Sequence, residues 1–282
     1  MYAHEDRFGL KRMCTVLGAS RSGYYDWLSR PKSVRAARDE VLLGHIRRVH
    51  ASCHEAYGAK KTWLELKAQG VACGKHRVAR LRRSEGIEPR RTRRFRIQAR
   101  HRQTAPAAPN LVAQCFESLG RDRVWVGDTT FIQTRTGFLY LAALVDLYAR
   151  RVVGWSLGQR HDVVLVLGAL RMALSQRRPG AGLIHHTDQG SLYGARLYRE
   201  ALAAHGVRVS MSAKGAPHDN AVAESFFSTL KNELVHHCSF PGWERASRAL
   251  SDYIELFYNR RRLHQALGYV SPVDFESRHG VS

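Results

Sequence analysis

The chain has 282 residues, 44% of them hydrophobic, and it carries 45 Lys and Arg against 24 Asp and Glu, a net charge of +21. This length suffices for more than one domain, and the charge favours a polyanionic partner, because basic side chains that neutralise phosphates release counterions. No apolar run reaches the length of a membrane span, the first residues lack a signal-peptide core, and the five scattered cysteines argue against a disulfide framework, so we expect a soluble protein of a reducing cytosol.

Two helical units are predicted in the basic N-terminal part of the chain. In residues 1–32, apolar side chains at helical spacing flank a turn that ends at Ser20, the predicted N-cap of the second helix. This pattern is helix-turn-helix-like, with an ordinary helical hairpin as the alternative. Residues 33–88 are predicted to form a second helical DNA-binding unit, in which Val78 and Leu81 can face a core while the rest of their helix is basic. Its basic residues are Lys75, Arg77, Arg80, Arg82 and Arg83.

A basic linker is predicted over residues 89–118, where arginines alternate with polar residues and with Pro106 and Pro109. Such a segment can follow the phosphates of DNA between two folded units, and a plain tether is the alternative. Its candidate DNA-binding residues are Arg91, Arg93 and Arg94.

Residues 119–282 have the pattern of an α/β domain. The first three predicted strands follow one another closely and are expected to be antiparallel neighbours. Helices and strands then alternate, which predicts a mixed central sheet flanked by helices. The predicted strands are 123–133, 138–146, 151–157, 182–186 and 207–212, and the predicted helices are 163–176, 195–205, a helix from Asn220 that carries Glu224, and a long helix over 243–259.

Three carboxylates are the candidate catalytic and metal-binding residues. Asp128 lies within a predicted strand, where a charge among apolar side chains is costly unless it is paired or bound to metal. Asp188 follows a strand end, and Glu224 lies in the first turns of a helix. Carboxylates placed in this way can hold two Mg²⁺ ions, with Mn²⁺ as a substitute, for chemistry on phosphodiesters. Taken singly, Asp188 could be a turn residue and Glu224 a solvated carboxylate.

Two further charged residues belong to this prediction. Lys231 follows Glu224 by two helical turns and therefore projects from the same face. It can hold a phosphate oxygen, and a surface ion pair is the alternative. Asp146 is interpreted as structural, paired with Arg150 or Arg151.

The order of motifs resembles a known family, the OrfB-type DDE transposases of the insertion-sequence-three group, which are relatives of retroviral integrases. The N-terminal segments around Ser20 to Tyr25, Tyr57-Gly58 and Arg77 to Leu81 are also similar to that family, so the likeness covers nearly the whole chain. The motifs of the C-terminal part are Asp128-Thr-Thr-Phe-Ile, Arg151-Val-Val-Gly-Trp155, His186-Thr-Asp188-Gln-Gly-Ser, Lys214-Gly215, Asp219-Asn-Ala221, Glu224-Ser-Phe-Phe227, Leu230-Lys231-x-Glu233 and Tyr258-Asn259-x-x-Arg262-x-His264.

The resemblance implies a ribonuclease-H-like mixed-sheet core behind small all-helical DNA-binding units. It assigns Asp128, Asp188 and Glu224 to the three catalytic positions and Lys231 to a frequent fourth one. Thr187 and Gln189 depart from the residues usual beside the second aspartate, but neither position ligates metal.

The predicted function is therefore a Mg²⁺-dependent DNA transposase that cleaves at insertion-sequence ends and joins 3′-hydroxyls to target DNA. Its expected partners are terminal inverted repeats, target DNA, further copies of the chain and the product of an upstream reading frame, with the bacterial cytoplasm and nucleoid as the location and no membrane contact. The alternatives are a DNA-binding regulator with a decayed core and a plain nuclease on the same fold.

Overall fold

The computed structural model describes residues 1–90, 108–112, 120–212 and 220–279. Within them, five α-helices precede a five-stranded sheet with five further α-helices. The predicted linker lies largely outside the described residues, and so do Arg91, Arg93 and Arg94. The domain boundaries at residues 32, 88 and 118 stay predictions.

The N-terminal region is helical, as its sequence predicts. The predicted turn separates its first two helices: Gly18 ends α1 in the left-handed conformation with φ of 61°, and the Ser20 hydroxyl accepts a hydrogen bond from Gly23 N at 2.9 Å, which caps α2. The five helices are α1 (Leu10–Leu17), α2 (Arg21–Ser29), α3 (Val34–Ser52), α4 (Ala59–Ala68) and α5 (Lys75–Ser84).

The sheet is mixed, which confirms the predicted fold class. Its strand order is β3-β2-β1-β4-β5; β1, β2 and β3 pair antiparallel, whereas β4 pairs parallel with both β1 and β5. Sequential antiparallel strands need only short turns, and parallel neighbours need helical crossovers. The strands are β1 (Val124–Thr134), β2 (Gly137–Asp146), β3 (Val152–Gly158), β4 (Ile184–Thr187) and β5 (Arg208–Met211).

Apolar layers cover both faces of the sheet. One buried cluster joins Trp125 and Leu144 to α6 and α7, and the other joins Val126 and Ala143 to α8 and α9. Alternation along the strands produces this division, because successive side chains point to opposite faces. The helices are α6 (Val163–Arg177), α7 (Arg196–Ala204), α8 (Ala221–Glu233), α9 (Trp243–Ser251) and α10 (Pro272–His279).

The predicted long helix over 243–259 is not a continuous α-helix. After α9 ends at Ser251, residues Asp252–Tyr258 continue as a π-helix, and Asn259 N bonds to Ile254 O at 3.0 Å, five residues back. A π-helical stretch changes the side-chain periodicity, which a uniform 3.6-residue pattern does not reveal. The short α10 begins with a Ser-Pro pair whose Ser271 hydroxyl accepts from Asp274 N at 3.2 Å, a start signal that the sequence prediction missed.

Asp146 is fully buried and structural, but its predicted partners were wrong. Its ion partner is Arg177 of α6, with Nη2 at 3.4 Å. Burial is the largest cause that raises the Asp146 pKa, to about 6. Arg177 also forms a bidentate pair with Glu276 of α10 at 2.8 and 2.9 Å, so this cluster ties α10 to the sheet.

The α3–α5 unit packs directly on the sheet domain. Tyr57 is fully buried, its hydroxyl accepts from Leu263 N at 2.7 Å, and it lies 3.4 Å from Arg261 O, to which it donates. The apolar side chains of α3–α5 and those around α8 and α9 belong to one buried cluster. The helical unit is therefore a packed part of the body that carries α8.

Candidate active site

Asp128 occupies the middle of β1 among buried neighbours. It faces Ala143 across the antiparallel pair with β2, and its Oδ1 accepts from Thr129 N at 2.7 Å. Burial raises the Asp128 pKa to about 7, with further increases from the negative charges of Asp188 and Glu224 and a decrease from Lys231. A carboxyl pKa raised by neighbouring carboxylates indicates a local excess of negative charge, which a bound cation would neutralise.

Asp188 follows the last residue of β4 by one position. Its Oδ1 accepts from Gly190 N at 3.0 Å, which holds the carboxylate in a tight turn. A side chain at position 190 would come within 2.8 Å of that oxygen, so the absence of a side chain at Gly190 allows this turn.

Glu224 lies in the first turn of α8 on its exposed face. The opposite face of the helix buries Ala223, Phe226 and Leu230 in the core. The start of α8 is joined to β1 because Asn220 Nδ2 donates to Gly127 O at 3.2 Å. This bond connects the helix of Glu224 to the residue that precedes Asp128.

Lys231 is partly buried farther along α8. Its Nζ lies 4.9 Å from the centroid of the Phe131 ring. Burial lowers the Lys231 pKa, and the negative charge of Asp128 opposes that decrease. The lysine therefore combines a contact to β1 with an electrostatic interaction with the first carboxylate.

The structure thus places Asp188, Glu224 and Lys231 around Asp128, which lies in the middle of β1. They interact electrostatically with Asp128, but in the described part of the chain no three Asp, Glu, His or Cys side chains converge closely enough to form a metal cluster. The donor set suits Mg²⁺ or Mn²⁺, since both prefer hard carboxylate oxygens. Repulsion among these carboxylates is relieved by a divalent cation, so the residues fit such an ion chemically.

Two buried histidines support the strand that leads to Asp188. His185 contacts Trp125 O through Nδ1 at 3.3 Å and the Tyr198 hydroxyl through Nε2 at 2.8 Å. Burial lowers the pKa of His185 to about 4, so its ring is neutral at physiological pH. His186 lies 2.8 and 3.1 Å from the hydroxyls of Ser210 and Ser212. These contacts fix β4 between β1 and β5.

The predicted DNA-binding residues on α5 divide into two groups. Lys75 and Arg83 are exposed, whereas Arg77 and Arg80 each bond to Asp39 of α3 at 2.6 Å. The acid that pairs with them is on another helix, which the composition of α5 does not reveal. These four assignments stay predictions.

Arg82 does not lie on the free face of α5, and that expectation was wrong. It is buried, with Nη2 at 2.9 Å from Tyr57 O and Nη1 at 3.1 Å from Thr62 Oγ1. Its guanidinium spans the space between α4 and α5 and satisfies polar groups that would otherwise be buried without partners.

The C-terminal end of α8 is held by a buried ion pair that the sequence did not predict. Arg262 donates to Glu233 through Nη2 at 2.7 Å and through Nε at 2.9 Å, and the Tyr253 hydroxyl donates to the same carboxylate at 2.7 Å. Arg90 adds a bond from Nη1 to Glu233 O at 3.1 Å. The helix that carries Glu224 and Lys231 is therefore anchored to both the α3–α5 unit and the C-terminal segment.

This combination of sheet, helices and carboxylates is that of an integrase core. Residues 119–217 match the integrase core domain family, residues 205–272 match a second integrase core domain model, and residues 37–95 match an HTH-like domain. Proteins of this superfamily are polynucleotidyl transferases, and the HTH-like domain implies DNA as the partner.

Relatives that match nearly the full length of this chain identify the family to which it belongs. The chain is 42% identical over 267 residues, 95% of this chain and 98% of the relative, to the insertion element IS600 uncharacterized 31 kDa protein of Shigella sonnei. It is 37% identical over 281 residues, 98% of this chain and 96% of the relative, to transposase InsF for insertion sequence IS3A of Escherichia coli strain K12. The chain belongs to the IS3-group transposases.

Among solved structures, the HTLV-2 integrase catalytic core domain in complex with magnesium is similar at 16% identity, over 56% of this chain and 99% of that chain, with a TM-score of 0.43. None of the helices that the structure describes is both long and apolar enough to cross a bilayer.

Proposed function

We propose that this IS3-group transposase cleaves DNA at the ends of its insertion sequence and joins the 3′-hydroxyls to target DNA. The observation that carries the proposal is the position of Asp128 within β1, where Asp188 and Glu224 are close enough for their charges to act on its carboxyl group. Like-charged neighbours destabilise a carboxylate that has only a structural role. In a site that binds a divalent cation, the same neighbours provide the negative charge that holds the ion.

Asp128, Asp188 and Glu224 would hold Mg²⁺, for which Mn²⁺ can substitute. When bound, the ions supply positive charge for the attacking and leaving oxygens of an in-line displacement at phosphorus. Lys231 holds a non-bridging phosphate oxygen as a point charge. The nucleophile is water in cleavage and a DNA 3′-hydroxyl in joining, so no covalent link between protein and DNA is required.

DNA recognition is assigned to the basic helical region. Lys75 and Arg83 are exposed on α5 and contact phosphates directly, whereas Arg77 and Arg80 first exchange Asp39 for phosphate. Arg91, Arg93 and Arg94 follow the same DNA beyond the α3–α5 unit. Copies of the chain on paired ends and the product of an upstream reading frame complete the assembly.

The test is strand transfer on a labelled duplex that carries the element's own end, with Mg²⁺. Wild type is expected to form joined products. The rate of strand transfer is expected to fall about a hundredfold or more in each of the variants Asp128→Asn, Asp188→Asn and Glu224→Gln. Glu244→Gln is the matched control, because Glu244 is also exposed in the first turn of its helix, and it should retain wild-type transfer.

Two outcomes would contradict the proposal. Wild-type strand transfer by Asp188→Asn or Glu224→Gln would mean that the carboxylates are not required for the reaction. Specific binding of the ends with no products from wild type, even after addition of the upstream product, would favour the DNA-binding regulator.

A further inference from the structure

Two aromatic side chains at the far end of the β1–β2 hairpin are exposed to solvent. Phe131 is 55% exposed and Phe138 is 52% exposed. Their rings meet edge to face, with centroids 5.6 Å apart and planes at 87°. The residues beside them in sequence, Ile132 and Leu139, are buried in the core, so the phenylalanines are on the opposite, outward face of the hairpin.

This aromatic surface continues along the hairpin towards Asp128. Tyr140 is the cross-strand partner of Phe131, and its ring stacks on His161 with centroids 5.2 Å apart. His161 Nε2 in turn lies 3.0 Å from the hydroxyl of Thr129, the residue next to Asp128. A row of flat rings therefore extends along the hairpin as far as Thr129, on the face of the sheet opposite to the Asp128 side chain.

Lys231 joins the aromatic surface to the candidate active site. Its Nζ lies over the Phe131 ring at 4.9 Å and interacts electrostatically with Asp128. Phe131 follows Asp128 by three residues, about 10 Å along a strand. β4 pairs with β1 over Val124 to Val126, so no strand among the described residues lies beside the edge of β1 between the carboxylate and the phenylalanines.

We propose that Phe131 and Phe138 form a stacking platform for an unpaired DNA base next to the phosphodiester that reacts. The proposal rests on the proposed function and deepens it: part of the DNA end would be bound with its bases unpaired. A strand that crosses the free edge of β1 would place its phosphate at Lys231 and Asp128 and its base on the rings.

Charge and geometry favour a DNA base over a second copy of the chain as the occupant. Every base has a flat π-face, so exposed rings beside a cation are a common arrangement in proteins that bind single strands. The cation here is Lys231, and the chain as a whole carries a charge of +21, which attracts DNA and repels another copy.

The first experiment compares two single strands of equal length and charge, an oligothymidylate and an abasic strand, in binding to the full chain without divalent metal. Wild type is expected to prefer the oligothymidylate. Phe131→Ala and Phe138→Ala should each reduce that preference about fivefold or more, with little change in affinity for the abasic strand. Phe131→Tyr keeps the ring and should keep the preference.

Leu256→Ala is the matched control, because Leu256 is an equally exposed apolar residue at 57% exposure and should leave the preference unchanged. Unfolding temperatures of all variants establish that they fold. A preference that is the same in wild type and Phe131→Ala would overturn the platform, and so would a change of oligomeric state in Phe131→Ala without DNA, since it would assign the rings to a protein interface.

A second experiment identifies the contact itself. An element end that carries 5-iododeoxyuridine beside the reacting phosphodiester is irradiated in complex with the protein, and a crosslink to the peptide of Phe131 or Phe138 is expected. Crosslinks only elsewhere would contradict the platform. Neither readout requires catalysis, so the two proposals can fail separately. A base preference without strand transfer would contradict the proposed function only. Strand transfer with an unaltered base preference in Phe131→Ala would contradict the stacking platform only.

Discussion

Asp128 lies within β1, and Asp188 lies one residue beyond the end of the parallel strand β4. Val126 of β1 and His186 of β4 are register partners, and each aspartate follows its partner by two residues. The parallel register therefore places the two residues near each other at the same end of the β1–β4 pair. The repulsion that results is one of the causes of the raised Asp128 pKa.

Asp128→Asn should make the protein more stable at alkaline pH. The folded-state pKa of about 7 is above the ordinary value of 3.8, so the folded state binds the proton more tightly than the unfolded state, and stability is lost as the pH rises through this window. We expect wild type to be less stable than Asp128→Asn by about 2 kcal/mol at high pH, less than the full pKa shift implies because the side chain is partly exposed. Thermal unfolding from about pH 5 to about pH 8.5 measures this difference.

Mg²⁺ provides the matching metal experiment. A cation that binds the folded state alone raises its stability, so saturating Mg²⁺ should recover the stability of wild type at high pH and change Asp128→Asn much less. Parallel pH curves for the two proteins would contradict the assigned pKa, and equal Mg²⁺ effects on both would contradict the metal site.

The sequence allowed the fold class and the positions of the carboxylates to be predicted because both depend on local patterns. Strand alternation, helix caps and short motifs around Asp128 and Asp188 are contained within a few residues each. The ion pairs Glu233–Arg262 and Arg177–Glu276 join residues 29 and 99 positions apart, and no local pattern indicates which charges meet. Arg82 was misplaced for this reason: its partners are on α4 and in the preceding loop.

Gly127→Ala should disturb the site without removing any functional group. An added Cβ would lie 2.7 Å from His185 Cε1, closer than a packed interior permits. We expect a loss of stability of about 1–3 kcal/mol from strain. Strand transfer should fall by more than this loss accounts for, because Asp128 lies in β1 and Asp188 directly follows β4. Denaturant unfolding and strand transfer at matched folded fraction measure the two effects.

Gly44→Ala is the control for that substitution. Gly44 lies within α3 with no atom within 4 Å of an added Cβ, and alanine in a helix interior should stabilise the protein by about 0.5–1 kcal/mol. Wild-type activity in Gly127→Ala would show that the separation of β1 and β4 is not critical for the carboxylates.

Tyr57→Phe should loosen the attachment of the α3–α5 unit to the sheet domain. The substitution leaves the partly buried Leu263 amide without its 2.7 Å acceptor, at a cost of about 1 kcal/mol. Hydrogen exchange should show faster exchange at Leu263 and in the adjacent residues, while the strands keep their protection. Unchanged exchange at Leu263 would mean that another group satisfies this amide.

Glu233→Gln should weaken catalysis through the position of α8 and not through contact with DNA. The substitution leaves the charge of Arg262 without a counter-charge, although the glutamine oxygen can still accept one of its hydrogen bonds, and it should cost about 1–3 kcal/mol. In contrast, Glu40→Gln removes the exposed pair with Lys32 and should leave stability nearly unchanged, because water and salt screen an exposed ion pair. Because Glu224 and Lys231 share a helix with Glu233, we expect strand transfer to fall in Glu233→Gln even at temperatures where the protein stays folded, with the binding of single-stranded DNA retained. If Glu233→Gln loses stability but its folded fraction keeps wild-type strand transfer, Glu233 has a structural role only. The contacts at the C-terminal end of α8 would then have no effect on the position of its first turn.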